Sequence, residues 1–149
     1  MALSFSTGLK NDILLTNGVR AAFSLGTIKI YESTATPVNA DAALGTVTEL
    51  VEYTVGGDGT TGLTLENAAA NGIINKEPTE TWQGTAAATG TALFWRFEKT
   101  GDTGLASTTD KRIQGTIGGS GSDIFVASTT FTTGTDYTLD FFSLSIPEL

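Results

Sequence analysis

The chain has neither His nor Cys, so its charged side chains are sixteen carboxylates and eight Lys or Arg residues. Imidazole is the usual general base near neutral pH and the commonest transition-metal ligand. Without imidazole or thiolate, zinc sites and Ser–His or Cys–His nucleophilic machinery are excluded. What remains is carboxylate chemistry of the glycosidase kind, which needs two acids facing each other across a sugar. Here the acids are scattered through turns and strand edges, and only Glu98, close to Trp95, has an aromatic context. Glu98 itself reads as an exposed strand-end charge. The expectation is a non-enzymatic protein with no catalytic residue, metal or cofactor.

Three further features could do chemistry. Gly118 to Val126 (GGSGSDIFV) fits the nonapeptide that binds calcium in parallel β-rolls. That cage closes only when stacked repeats supply carbonyls and carboxylates from neighbouring turns, and a single copy reads as a flexible hairpin loop. Trp82, Phe94, Trp95 and Phe97 could form a stacking platform for carbohydrate, or they are sandwich core. Arg96, inside the most hydrophobic stretch (ALFWRFEK), either faces solvent on an alternating strand or pairs with an acidic residue at an interface. By that alternation Leu93, Trp95 and Phe97 should point into the core, leaving Phe94, Arg96 and Glu98 at the surface or in a subunit contact.

The elements that would position these residues are strands. Charged residues are only 16% of the 149, and the gap is filled by 27 Thr, 18 Gly and 16 Ala. Thr suits a pleated, half-wet surface and Gly supplies positive-φ turns. The expected strands are Thr27–Tyr31, Thr46–Val55 with a bulge at Leu50-Val51, Leu63–Leu65, Ile73-Ile74, Thr81–Gln83, Ala92–Lys99, Arg112–Ile117, Asp123–Ala127 and Asp136–Ile146. In the last, the apolar face shifts at Phe141-Phe142, read as a second bulge. Short strands at regular spacing predict an all-β fold, a single antiparallel β-sandwich of about eight strands, jelly-roll or Ig-like.

Residues 1–26 read differently, as a short N-terminal helical segment through Leu9, Ile13 and Leu14 with a second turn over Val19–Phe23, ahead of a sandwich domain over 27–149. Charge is also uneven. The first 31 residues carry Lys10, Arg20 and Lys29 against Asp12, whereas the whole chain has a formal net charge of −8. Either this is chance, or the first segment faces an acidic partner. Leu3, Phe5, Leu9, Lys10, Ile13, Leu14 and Arg20, with Arg96, are the candidate partner interface; the apolar members could equally be a helix covering one end of the sandwich. A pI near 4.3 argues against nucleic acid, the opening lacks a secretory pattern, and no stretch approaches the length of a membrane span.

Four blocks carry a resemblance: MALSFSTGLKNDILLTNGV, GTIKIYESTATPVNADAALGT, ETWQGTAAATGTALFWRF and GSGSDIFVASTTF. In that order they resemble a family of small Thr/Gly-rich virion structural proteins of tailed bacteriophages, whose pattern runs "IxIYSGxxPxxADxAxxGTLL", "WxGTxxxxGTAxWFRF" and "GxSGADLxLSSTxF". The chain departs from it at Leu93-Phe94-Trp95. The resemblance implies a non-enzymatic β-sandwich made in the host cytoplasm and placed on the virion. There it would be a capsid decoration (cement) protein on the outer surface of the head. Its partners would be the major capsid protein or other virion proteins, with homo-oligomers on the particle. The alternatives are a neck or tail component, or a receptor- or glycan-binding module.

Overall fold

Period-two alternation in TIKIYE sends Ile28 and Ile30 to one side of a strand and Lys29 and Tyr31 to the other, and this split organises the whole molecule. The computed structural model describes residues 3–15 and 17–145. The described elements are β1 (Ser4–Phe5), α1 (Thr7–Leu15), α2 (Val19–Ala22), β2 (Thr27–Glu32), β3 (Thr48–Val55), β4 (Ile73–Asn75), β5 (Trp82–Thr85), β6 (Gly90–Thr91), β7 (Phe94–Glu98), β8 (Arg112–Gly118), β9 (Ile124–Phe125), β10 (Thr130–Phe131), β11 (Asp136–Thr138) and β12 (Ser143–Ser145). An eight-stranded sheet runs β1-β8-β7-β2-β3-β5-β11, with β9 joined to β8, and two ribbons, β10-β6 and β12-β4, complete the strands. Every described pairing between these strands is antiparallel except β8 with β9. The protein is all-β and sandwich-like, and among the described residues short helices occur only in the N-terminal segment, as composition and strand spacing lead one to expect.

One face of the sheet is apolar. Ile28 and Ile30 of β2, Trp95 and Phe97 of β7 and Ile113 of β8 are at most 1% exposed and pack with Leu9, Phe23 and Trp82. The expected bulge in β3 is real. Ile30 pairs with Val51 and Tyr31 with Glu49, which leaves Leu50 as the extra residue and lets both Leu50 and Val51 be buried. The Leu50 carbonyl accepts from Ala87 N at 2.8 Å, so the bulged residue's carbonyl keeps a backbone partner.

The stretch from Asp136 is not one bulged strand. β11 pairs β5 in the main sheet and β12 pairs β4 in a separate ribbon; Ile146 lies outside the described residues. The apolar shift marks the crossing between them. Leu139, Phe142 and Leu144 turn inward, and the Phe142 ring lies 5.5 to 5.8 Å from those of Trp82, Trp95 and Phe97. Phe141, one residue earlier, is left 90% exposed.

The N-terminal segment is built into this body. β1 pairs β8 through Ser4 with Gln114 and Phe5 with Ile113, forming one edge of the main sheet. Ser6 then caps α1, its hydroxyl accepting from Leu9 N at 3.2 Å. Gly8 passes so close to the 109–110 backbone that a β-carbon there would lie 2.2 Å from the Thr109 carbonyl oxygen.

Candidate functional site

The second face of the sheet is polar, and it too is buried. Register makes it a row: Glu52 of β3 lies opposite Lys29 of β2, Lys29 opposite Arg96 of β7, Arg96 opposite Gln114 of β8, and Gln114 opposite Ser4 of β1. Beside it, Glu98 of β7 lies opposite Arg112 of β8. Arg96, Arg112 and Gln114 are 0% exposed and Glu98 3%. Alternation did separate Trp95 and Phe97 from Phe94, Arg96 and Glu98. The expectation that the second set lies at the surface is overturned, because segments 33–47 and 99–111 cover it. Leu93, expected inside, is 37% exposed.

Arg96, Arg112 and Gln114 each hold the covering chain from this face. Arg96 donates from Nε to Gln114 Oε1 at 2.9 Å and from Nη2 to the Ala42 and Asn39 carbonyls at 2.7 and 3.4 Å. Gln114 Nε2 donates to the Pro37 carbonyl at 2.8 Å. Arg112 clasps Asp102 with two bonds, Nε to Oδ2 at 2.5 Å and Nη2 to Oδ1 at 2.7 Å, and reaches Asp110 Oδ2 at 3.0 Å. Asp41 ties the cover to the N-terminus, accepting from Thr7 N at 2.7 Å and Thr7 Oγ1 at 2.6 Å. The two covering segments also bond each other, Leu44 N to the Gly104 carbonyl and Ser107 N to the Asp41 carbonyl. Bidentate guanidinium–carboxylate geometry is the strong form of such a contact. The arrangement acts as a clamp on two loops.

At one end of the face, a single cation serves three acids. Lys29 Nζ lies 3.2 Å from Glu98, 3.5 Å from Glu49 and 3.9 Å from Glu52. Burial works to lower the Lys29 pKa, but the three carboxylates outweigh it and hold the ammonium above its ordinary value. Glu98 goes the other way: burial pushes its carboxyl up to about 7, and a share in one ammonium does not offset it. The difference follows from depth, since the Lys29 side chain is 22% exposed and that of Glu98 4%. Tyr31, stacked on Phe94 with centroids 5.2 Å apart, is likewise raised by burial. Burial, and after it the charge of Arg112, lowers the Arg96 guanidinium.

The sequence candidates fall in different places. Leu9 and Arg96 are fully buried and offer no surface to a partner: Leu9 belongs to the core and Arg96 to the loop clamp. Leu3, Phe5 and Ile13 are half-buried against the core. Lys10, Leu14 and Arg20 are exposed, although Arg20 Nε donates to the Leu65 carbonyl at 3.1 Å. Trp82, Phe94, Trp95 and Phe97 are at most 1% exposed, so no sugar platform exists there. In the glycine-rich loop Asp123 Oδ2 accepts from both Thr116 N and Thr116 Oγ1, at 2.8 and 2.9 Å, so this oxygen closes a loop between the parallel strands β8 and β9 rather than the expected hairpin. Sequence reasoning missed Asp41, Asp102 and Gln114 as clamp residues, because only the folding of the two loops over the sheet brings them together. It also passed over Leu15, 84% exposed beside Leu14, and the exposed Phe125 and Phe141.

No protein-family model, curated protein or solved structure matches this chain.

Proposed function

We propose that the chain is a non-enzymatic structural protein of a tailed-phage virion, a decoration protein attached to the outer surface of the head through its N-terminal segment. The carrying observation is the pair Leu14 and Leu15, 80% and 84% exposed at the end of α1, on a segment that also exposes Lys10 and Arg20. Two adjacent, nearly bare leucines on a helix otherwise docked to the body are a surface for another protein. The segment is fixed to the sheet by β1 and by Ser6, so a contact at α1 would load the whole domain. The resemblance supports the same reading. Its second block supplies Pro37, Asn39, Asp41 and Ala42 to the cover, and its third contains Arg96, which holds that cover.

The test is co-sedimentation of the purified protein with phage heads lacking it. Saturable binding is expected, at a copy number set by the shell's symmetry. Leu14→Glu with Leu15→Glu should abolish it while leaving the melting temperature nearly unchanged. Binding of that double variant at the level of the unaltered protein would refute the assignment.

A further inference from the structure

A second surface lies far along the chain, at Phe125 and Phe141. They are 70% and 90% exposed, whereas Phe23, Phe94, Phe97, Phe131 and Phe142 are buried. Both line the same two adjoining grooves, of about 690 and 410 Å³. Neither sits on a loop tip. Phe125 is held in β9 opposite Gly118, beside buried Ile124, and Val126 N donates to the Gly118 carbonyl at 2.8 Å. Phe141 stands between buried Leu139 and Phe142. Two large rings are therefore kept in water on short spans anchored at both ends, an arrangement that favours tight contact because little freedom is left to lose.

We propose that this Phe125–Phe141 surface is a docking site for a basic, apolar-bearing segment of a partner protein. Charge selects that occupant. The carboxylates lining the larger groove are Glu80, Asp123 and Asp140, against a single cation, Lys76. That cation is turned inward: Lys76 Nζ donates to the Glu80 carbonyl at 2.5 Å and lies 5.5 Å from the Trp82 ring centroid. A second copy of the chain would bring the same acidic rim against itself, on a protein already at −8. Arg or Lys side chains meet the acids, and apolar side chains between them cover the two rings. The site does not depend on what binds the N-terminal segment.

The test is an amide-shift titration of the full, isotope-labelled chain with a peptide alternating Arg and Leu, beside a Glu/Leu peptide of equal length and a malto-oligosaccharide. The expected result is shifts centred on residues 124–126 and 139–143 with the Arg/Leu peptide alone. Phe125→Ser with Phe141→Ser should weaken that binding at least tenfold while leaving the melting temperature nearly unchanged. The proposal is overturned by no shifts at millimolar peptide, by shifts centred elsewhere, by undiminished binding to the double variant, by equal binding of the Glu/Leu peptide or the sugar, or by self-association through these residues without peptide.

Discussion

Replacing Arg96 by Ala is the sharpest test of the buried polar face. An exposed arginine on an alternating strand would cost under about 1 kcal/mol to truncate. The geometry demands more. Arg96 is 0% exposed and supplies the donors at 2.9 Å to Gln114 Oε1 and 2.7 Å to the Ala42 carbonyl. A buried group that loses its partner costs about 1–3 kcal/mol, and here two good contacts go at once, together with the packing of the stem. The expected loss is about 3–5 kcal/mol, the scale seen when one member of a buried charged network is removed. Since small domains are stable by about 5–15 kcal/mol, the alanine variant could be largely unfolded. Arg96→Met fills most of the volume without the donors and should lose about 2–3 kcal/mol. Urea denaturation measures both. Hydrogen exchange adds a local readout: the Leu44 and Ser107 amides, bonded across the two covering segments, should lose protection in Arg96→Met before the β7 amides do. A loss below about 1 kcal/mol for Arg96→Ala, with those amides still protected, would refute the clamp.

Three further outcomes follow from the same contacts. The Glu98 carboxyl has an ordinary value of 4.5 and stands at about 7 in the fold. Its contribution to stability is therefore full below pH 4.5 and is lost as pH rises through 7. Glu98→Gln should flatten the stability–pH profile over that window by up to about 3 kcal/mol, and identical slopes in paired urea melts would contradict it. Gly8→Ala should destabilise, although Ala is the better helix former by about 1 kcal/mol, because its β-carbon would meet the Thr109 carbonyl at 2.2 Å; a higher melting temperature would be the wrong sign. Deleting residues 2–16 should not leave an intact sandwich. It strips β1 from β8 and removes fully buried Leu9 and Ser6, so loss of the cooperative melt is expected and an unchanged melt would contradict it.

What could be read from sequence was periodic and local. Alternation in TIKIYE and ALFWRFEK located β2 and β7 and separated Trp95 from Arg96. The Leu50-Val51 doublet gave the β3 bulge. What could not be read depends on register and cover. Nothing in Arg96 alone shows that a loop 54 residues away lies over it, and an in-out alternation is the same whether its polar side meets water or another segment. The doublet Phe141-Phe142 misled for a related reason. A bulge and a crossing between sheets leave the same trace in hydrophobicity, and only the pairing partners, β5 before and β4 after, distinguish them. The N-terminal segment stood out by charge, yet charge says nothing of the hydrogen bonds by which Ser4, Ser6 and Thr7 bind it to the body.

A cryo-electron microscopy map of tailed-phage particles assembled in the presence of this chain tests the central claim most directly. The account predicts density for the all-β domain on the outside of the head, with α1 against the shell and Leu14 and Leu15 buried in the contact. Particles without the chain, or a chain seated on them with those two leucines in solvent, would contradict it.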